Sequence, residues 1–111
     1  MLNQVVLVGR LTRNISVNKS NKGFKVATVS LAIPRSFKNS EGIYDTDFVD
    51  CIAFDTIAEN TSEYCHKGDI VGVKGRIQSR IIEKDGKNEN IMEIICEKIT
   101  FLSSKKEDKA N

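Results

Sequence analysis

Along Phe48-Val49-Asp50-Cys51-Ile52-Ala53-Phe54 the pleat of an extended strand sends Val49, Cys51 and Ala53 to one side and Phe48, Asp50, Ile52 and Phe54 to the other. Asp50 decides which side is which. Buried without a partner it would cost several kcal/mol, so its side, with both Phe rings, faces outward. Between Ile70 and Ile82 the same alternation places Val71, Val73, Gly75, Ile77 and Ile81 together, opposite Lys74, Arg76, Gln78 and Arg80. Exposed rings stack on flat π-systems and a cationic stripe pairs with phosphates, so the two together can hold a polynucleotide strand without base-specific hydrogen bonds. Phe37, set between Arg35 and Lys38, adds a third ring beside positive charge. Plainer readings stay open: the rings could fill an apolar patch or an oligomer contact, and the Lys/Arg stripe alone could be a solvated face. The coincidence of rings and cations in one small chain favours the first reading.

Groups of the kind an enzyme needs do not converge. The single His, His66, follows Cys65 on an expected helix, where neighbouring side chains diverge by about a hundred degrees. No Gly-rich phosphate loop accompanies them. Cys51, Cys65 and Cys96 stand 14 and 31 residues apart, with no CxxC pair, which suits reduced, buried thiols rather than a metal site or disulfide framework. The chain is therefore read as a binding protein with no catalytic residue, no metal and no cofactor.

Charge is segregated along the sequence. Residues 1 to 40 hold seven basic side chains (Arg10, Arg13, Lys19, Lys22, Lys25, Arg35, Lys38) and no acidic one. Residues 41 to 63 hold seven acidic side chains and no basic one. The formal net charge of +2 is too small to imply a polyanionic partner, but this distribution offers one positive track and one repelling face. With 111 residues, 40% of them hydrophobic and 29% charged, the chain fits one globular domain. The opening apolar stretch breaks at Gly9-Arg10, too short for a signal or membrane-spanning segment, so a cytoplasmic, nucleoid-associated location and no membrane partner are expected.

The elements that must position these side chains are mostly strands. Gln4 to Leu11 and Lys25 to Ile33, rich in Val, Ile, Thr and Leu, read as the first two, joined by Asn14 to Gly23. Asn39-Ser40-Glu41-Gly42 makes a turn before a third strand, Tyr44 to Phe54. Asp55 can cap a helix carrying Ile57, Ala58, Thr61 and Cys65 on one side, with Gly68 as its stop. The fourth strand runs from Ile70 to Ile82, Lys84-Asp85-Gly86-Lys87 turns the chain, and Asn90 to Leu102 returns as the fifth. The predicted fold is therefore all-β, a five-stranded oligonucleotide-binding barrel with one short helix between strands three and four. Residues 1–102 form the domain and 103–111 a polar tail. In the first strand Val5, Leu7 and Leu11 cover one side while Val6 and Val8 make the other apolar too, which suits burial against a second subunit.

From Met1 to about Leu102 the chain resembles the bacterial and phage single-stranded DNA-binding proteins. The matching pieces are the opening Met1-Leu2-Asn3-Gln4-Val5-Val6-Leu7-Val8-Gly9-Arg10-Leu11, Ala27-Thr28, Asp47-Phe48, Ala58-Glu59-Asn60, Lys67-Gly68 and Gly75-Arg76-Ile77-Gln78-Ser79-Arg80. The resemblance implies stacking rings at Phe37, Phe48 and Phe54, and cationic contacts at Arg35, Lys67 and Arg80. To these the charge pattern adds Arg10, Lys38, Lys74 and Arg76. The resemblance also implies a homo-oligomer, typically a tetramer, that binds and protects single-stranded DNA during replication, recombination or repair without reading its sequence. Two departures stand out. Ile82 occupies the place of a fourth aromatic, and Ser103 to Asn111 lacks the acidic, Phe-ended tip through which relatives recruit repair proteins, which puts that recruitment in doubt. The rival reading is an RNA- or protein-binding barrel using the same face.

Overall fold

Runs of β-branched residues interrupted by Gly, Asn and Asp turns fold into strands that wrap around a narrow interior. The computed structural model describes residues 1–104. In chain order the elements are β1 (Val5–Leu11), β2 (Val17–Lys19), β3 (Lys25–Lys38), β4 (Tyr44–Phe54), α1 (Asp55–Tyr64), β5 (Ile70–Lys84) and β6 (Lys87–Ser103). They form one sheet in the order β1-β5-β6-β4-β3-β2, and a further pairing of β1 with β3 closes it into a barrel. β1 makes this closure because it has two partners. Val5 to Arg10 run antiparallel to β5, while Arg10 and Leu11 also pair with Ala32 and Leu31 of β3. β4 and β6 meet in parallel, Cys51 opposite Ile94 and Ile52 opposite Ile95.

The five strands read from sequence are β1, β3, β4, β5 and β6, and β4 has the bounds that the pattern predicted. β2 is an addition inside the expected connection: Val17 to Lys19 pair with Lys25 to Ala27, so the Gly23 turn makes a hairpin. β3 runs on past Ile33 to Lys38, with a register irregularity between Pro34 and Lys38. That extension sets Phe37 and Lys38 on a strand rather than before a turn. β5 and β6 likewise extend to Lys84 and from Lys87, and the Asp85-Gly86 turn between them has positive φ at both residues (54° and 77°), the geometry of a tight hairpin turn. β6 also reaches Ser103, one residue into the stretch read as tail, and residues 105–111 lie outside the described residues.

Two local expectations for α1 are corrected. Asp55 is not its cap: Phe54 holds the capping position with no side-chain hydrogen bond, and the Asp55 carboxylate instead accepts the Lys25 backbone N–H at 3.1 Å. Gly68 is not its stop, since the helix ends at Tyr64 and extended Cys65 donates its N–H to the Thr61 carbonyl. The helix still performs the packing expected of it, with Ala58, Thr61 and Cys65 buried against the barrel.

Inside, small and branched side chains alternate: Leu11, Val29, Leu31, Cys51, Val71 and Val73 are fully buried, and Ala27, Ala53 and Ala58 fill the gaps between them. The tightest point is Gly75. A Cβ there would fall on the carbonyl oxygen of Ile95, and this is where β6 shifts register against β5, Lys74 opposite Lys98 but Gly75 opposite Cys96. The missing side chain lets the two strands cross at a bulge that bends the wall. Beyond it, Asn3 extends the ladder of β1 with its side chain, donating to the Ile77 carbonyl and accepting the Ile77 N–H. Because the clash is with backbone, Gly75→Ala is predicted to destabilise the fold by about 3 kcal/mol, read as a lower midpoint in urea unfolding. An unchanged midpoint would contradict the packing described.

Candidate nucleic-acid interface

Because cross-strand partners share a face, the ladders define what lies on the outside of the wall. Successive rows hold Val26 and Phe54, then Thr28, Ile52, Ile95 and Arg76, then Ser30 and Asp50, then Arg10, Ala32 and Phe48. The side of β4 that carries Asp50 therefore does face outward. Phe48 is 75% exposed, while Cys51 and Ala53 of the same strand are fully buried. None of the five Phe in the chain belongs to the buried core, an unusual outcome for so apolar a residue.

Phe54 stands at one end of this face, held edge-on by Phe24 with ring centroids 5.6 Å apart. Phe37, 64% exposed, lies within the register irregularity of β3 next to Lys38, whose Nζ sits 5.7 Å from the centroid of the exposed Tyr44 ring. Phe24 and Tyr44 were not among the residues singled out from sequence, yet both obey the same alternation: Phe24 shares parity with outward Val26 and Thr28, and Tyr44 with outward Phe48. Ile82, in the place of a fourth ring, is half-buried on the β5–β6 arm.

The cations divide by what holds them. Arg10 lies in the Phe48 row and donates from Nη1 to the Gly68 carbonyl at 2.6 Å. That bond, with Gly68 N–H to the Leu11 carbonyl and Lys67 N–H to Asn14 Oδ1, docks the 66–69 turn on the end of β1 and leaves the Lys67 side chain exposed there. Arg13, also absent from the sequence list, forks onto Ser30 Oγ at 2.9 and 3.1 Å. It thus lies across the middle row, its signal being membership of the acid-free first forty residues.

The expected stripe on β5 keeps to one side, because the extra residue of the bulge is on β6. Lys74 is exposed in a row with Val6 and Lys98, on the β1 side, whereas Arg76 and Arg80 lie beyond Gly75. Those two are partnered. Arg76 donates to Gln78 Oε1 and stands 3.8 Å from Glu97, and Arg80 Nε is 3.0 Å from Glu93. Arg35 is held more fully still: Nη2 is 2.9 Å from Asp47 and Nη1 is 3.8 Å from Asp45. Hydrogen bonding to that guanidinium holds the Asp47 carboxyl below its ordinary value. Of the ten side chains predicted for the site, Arg10 and Phe48 share a row, Phe54 and Arg76 lie in adjoining rows on the same face, Lys74 is two residues from Arg76 on the same side of β5, and Lys67 is on the turn that Arg10 holds.

The candidate reactive pair is separated by the fold. Cys65 is buried and its thiol is pushed up by that burial, whereas the His66 side chain is 66% exposed. Cys51 and Cys96 share a hydrogen bond inside the barrel, which together with burial pushes the Cys96 thiol up. Among the described residues no three His, Cys, Asp or Glu are gathered to hold a metal ion, and no helix is long and apolar enough to cross a membrane.

Residues 2–102 match the model of the single-strand binding protein family. Single-stranded DNA-binding protein B of Bacillus subtilis (strain 168) is 44% identical over 111 residues, covering 99% of this chain and 98% of that protein. Single-stranded DNA-binding protein 1 of Staphylococcus aureus (strain COL) is 42% identical over 106 residues, covering 95% of this chain and 64% of its own length. Among solved structures, the SSB of Plasmodium falciparum in complex with ssDNA superposes with a TM-score of 0.78 at 29% identity, over 93% of this chain and 96% of that one. A deletion mutant of the single-stranded DNA binding protein from Thermus aquaticus gives 0.77 at 26% identity, over 94% and 52%.

All three thiols are buried, so an aromatic disulfide reagent is predicted to titrate none of them rapidly in the native protein and three after denaturation. A fast-reacting thiol in the native state would refute the burial assigned to these residues.

Proposed function

The chain belongs to the single-strand binding protein family, and we propose that it holds single-stranded DNA across the outer face of β3, β4 and β6 by stacking bases on its rings while cations meet the phosphates. The family is one of binding proteins rather than enzymes, and binding is what this face is equipped for. The observation that carries the reading is Phe48, a large apolar ring left 75% exposed in one row with Arg10. Leaving such a ring in water forgoes the gain of burying it, and a base supplies the missing contact at about 1 to 3 kcal/mol. Phe54 and Phe37 offer further platforms, and Arg10, Arg13, Lys67, Arg76 and Lys74 supply cations around them. Every base has a π-face, so binding of this kind tolerates any sequence.

The unit that binds is the barrel, residues 1–102. Val6 and Val8, 67% and 53% exposed on the outside of β1, support assembly into a homo-oligomer, and a tetramer is the form implied by the family resemblance. Protection of single strands during replication, recombination or repair, in the cytoplasm and at the nucleoid, follows from the same reading. The alternative of RNA as ligand is met by the same experiment that tests the DNA reading.

A labelled deoxythymidine oligomer, titrated by anisotropy, is predicted to bind with nanomolar to micromolar affinity that falls steeply with salt, and more tightly than the matching uridine oligomer or duplex. Phe48→Ala and Phe54→Ala are each predicted to weaken binding by about 1 to 3 kcal/mol while leaving the unfolding midpoint nearly unchanged for Phe48, whose ring touches little. Equal preference for duplex, or undiminished affinity in both variants, would reject the stacking model.

A further inference from the structure

Beside the rings, the outer face carries an open polar hollow of about 220 Å³ lined by Arg13, Asn14, Ser16, Asn18 and Thr28. The ladders place it along the proposed strand path. Asn18 pairs with Val26, whose partner on the other side is Phe54, so one wall of the hollow stands in the Phe54 row. Thr28 lies one row further along β3, and Arg13 reaches the row after that through Ser30. Rows on one face of a strand are about 7 Å apart, so the nucleotide next to one stacked on Phe54 falls over Thr28 with its edge toward the hollow.

Two donors of the hollow are fixed by bonds made elsewhere in the fold. Arg13 sets Nε and Nη2 on Ser30 Oγ, which leaves Nη1 turned away from that oxygen. Asn14 uses Oδ1 to accept the Lys67 backbone N–H at 2.8 Å, so the group it offers to a ligand is Nδ2. The other lining side chains, Ser16, Asn18 and Thr28, are neutral. Exposed Asp50, opposite Ser30 on the β4 side of β3, offsets part of the Arg13 charge. A cluster with one partly offset cation and four neutral hydroxyl and carboxamide groups suits the edge of a base better than a phosphate. We infer that this hollow reads a base edge and that its base is guanine, held through O6 and N7 by Arg13 Nη1 and Asn14 Nδ2. Guanine presents those two acceptors side by side, whereas adenine sets an amino donor where guanine has O6, against donors that cannot accept from it. The inference rests on the proposed strand path and goes beyond it, because stacking alone tolerates any sequence. At one nucleotide the chain adds a preference to binding that is otherwise indifferent to sequence.

The test compares deoxythymidine oligomers carrying one central guanine, adenine or 7-deazaguanine, titrated by anisotropy with the full chain. All three are purine-sized rings that stack in the same way, so a difference among them reports the edge. The guanine oligomer is expected to bind about fivefold more tightly than the adenine one, the low end for a bidentate contact, and 7-deazaguanine, which lacks N7, is expected to lose most of that gain. Arg13→Ala is expected to abolish the preference, with thermal unfolding confirming a folded protein. The 7-deazaguanine comparison uses the wild type and stands whatever Arg13→Ala does to the fold. Equal affinity for the guanine and adenine oligomers, or a preference that survives in 7-deazaguanine, overturns the inference. So does Arg13→Ala protein that binds both purine oligomers more weakly but keeps their ratio, the behaviour of a phosphate contact. Wild-type protein that binds none of the oligomers would instead defeat the function proposed above, so the two failures are distinguishable.

Discussion

The interior of the barrel is filled by small and branched side chains, and no aromatic ring is among them. The wall is closed by β1 holding β5 along its length and β3 at Arg10 and Leu11, and the interior facing that seam is filled by Leu11, Val29, Leu31, Cys51, Val71 and Val73. Once those positions are full, every Phe in the chain must find a place elsewhere. Three of them end on or beside the outer face of β3 and β4, where the pleat returns a ring to the same side at every second residue. The binding surface is in this sense the complement of the core.

Bending the wall matters as much as closing it. The bulge at Gly75, where β6 carries an extra residue against β5, lets the β5–β6 arm run beyond the barrel with Arg76, Gln78 and Arg80 on one side. Because the extra residue is on β6, β5 keeps its alternation and Lys74 stays on the side of Arg76, in a row shared with Val6 and Lys98. Parallel contact between β4 and β6 then brings Ile52 and Ile95 into the row of Arg76, joining the arm to the aromatic face through an apolar floor.

Electrostatically the face is more balanced than a basic patch. Lys25 pairs with Glu59, Arg35 with Asp47 and Arg80 with Glu93, each across strands or between strand and helix. The acid-free first forty residues thus meet the base-free segment that follows them. Folding uses much of the segregated charge on itself, while Arg10 and Arg13 are held by a carbonyl and a hydroxyl oxygen that leave their charge uncancelled.

By itself the sequence determined the elements and the sidedness of β4, because alternation and one unpairable carboxylate, Asp50, leave a single choice of which side to bury. It also settled the Asp85-Gly86 turn, whose conformation only certain residues accept. Which strands lie together was beyond it, since pairing partners depend on closure of the whole sheet rather than on local pattern. For that reason β2, the bulge of β6 against Gly75 and the roles of Phe24, Tyr44 and Arg13 appear only in the fold. The partners of Arg35 and Arg80 belong with them: a charge carries no mark in sequence of the opposite charge that a neighbouring strand will set against it.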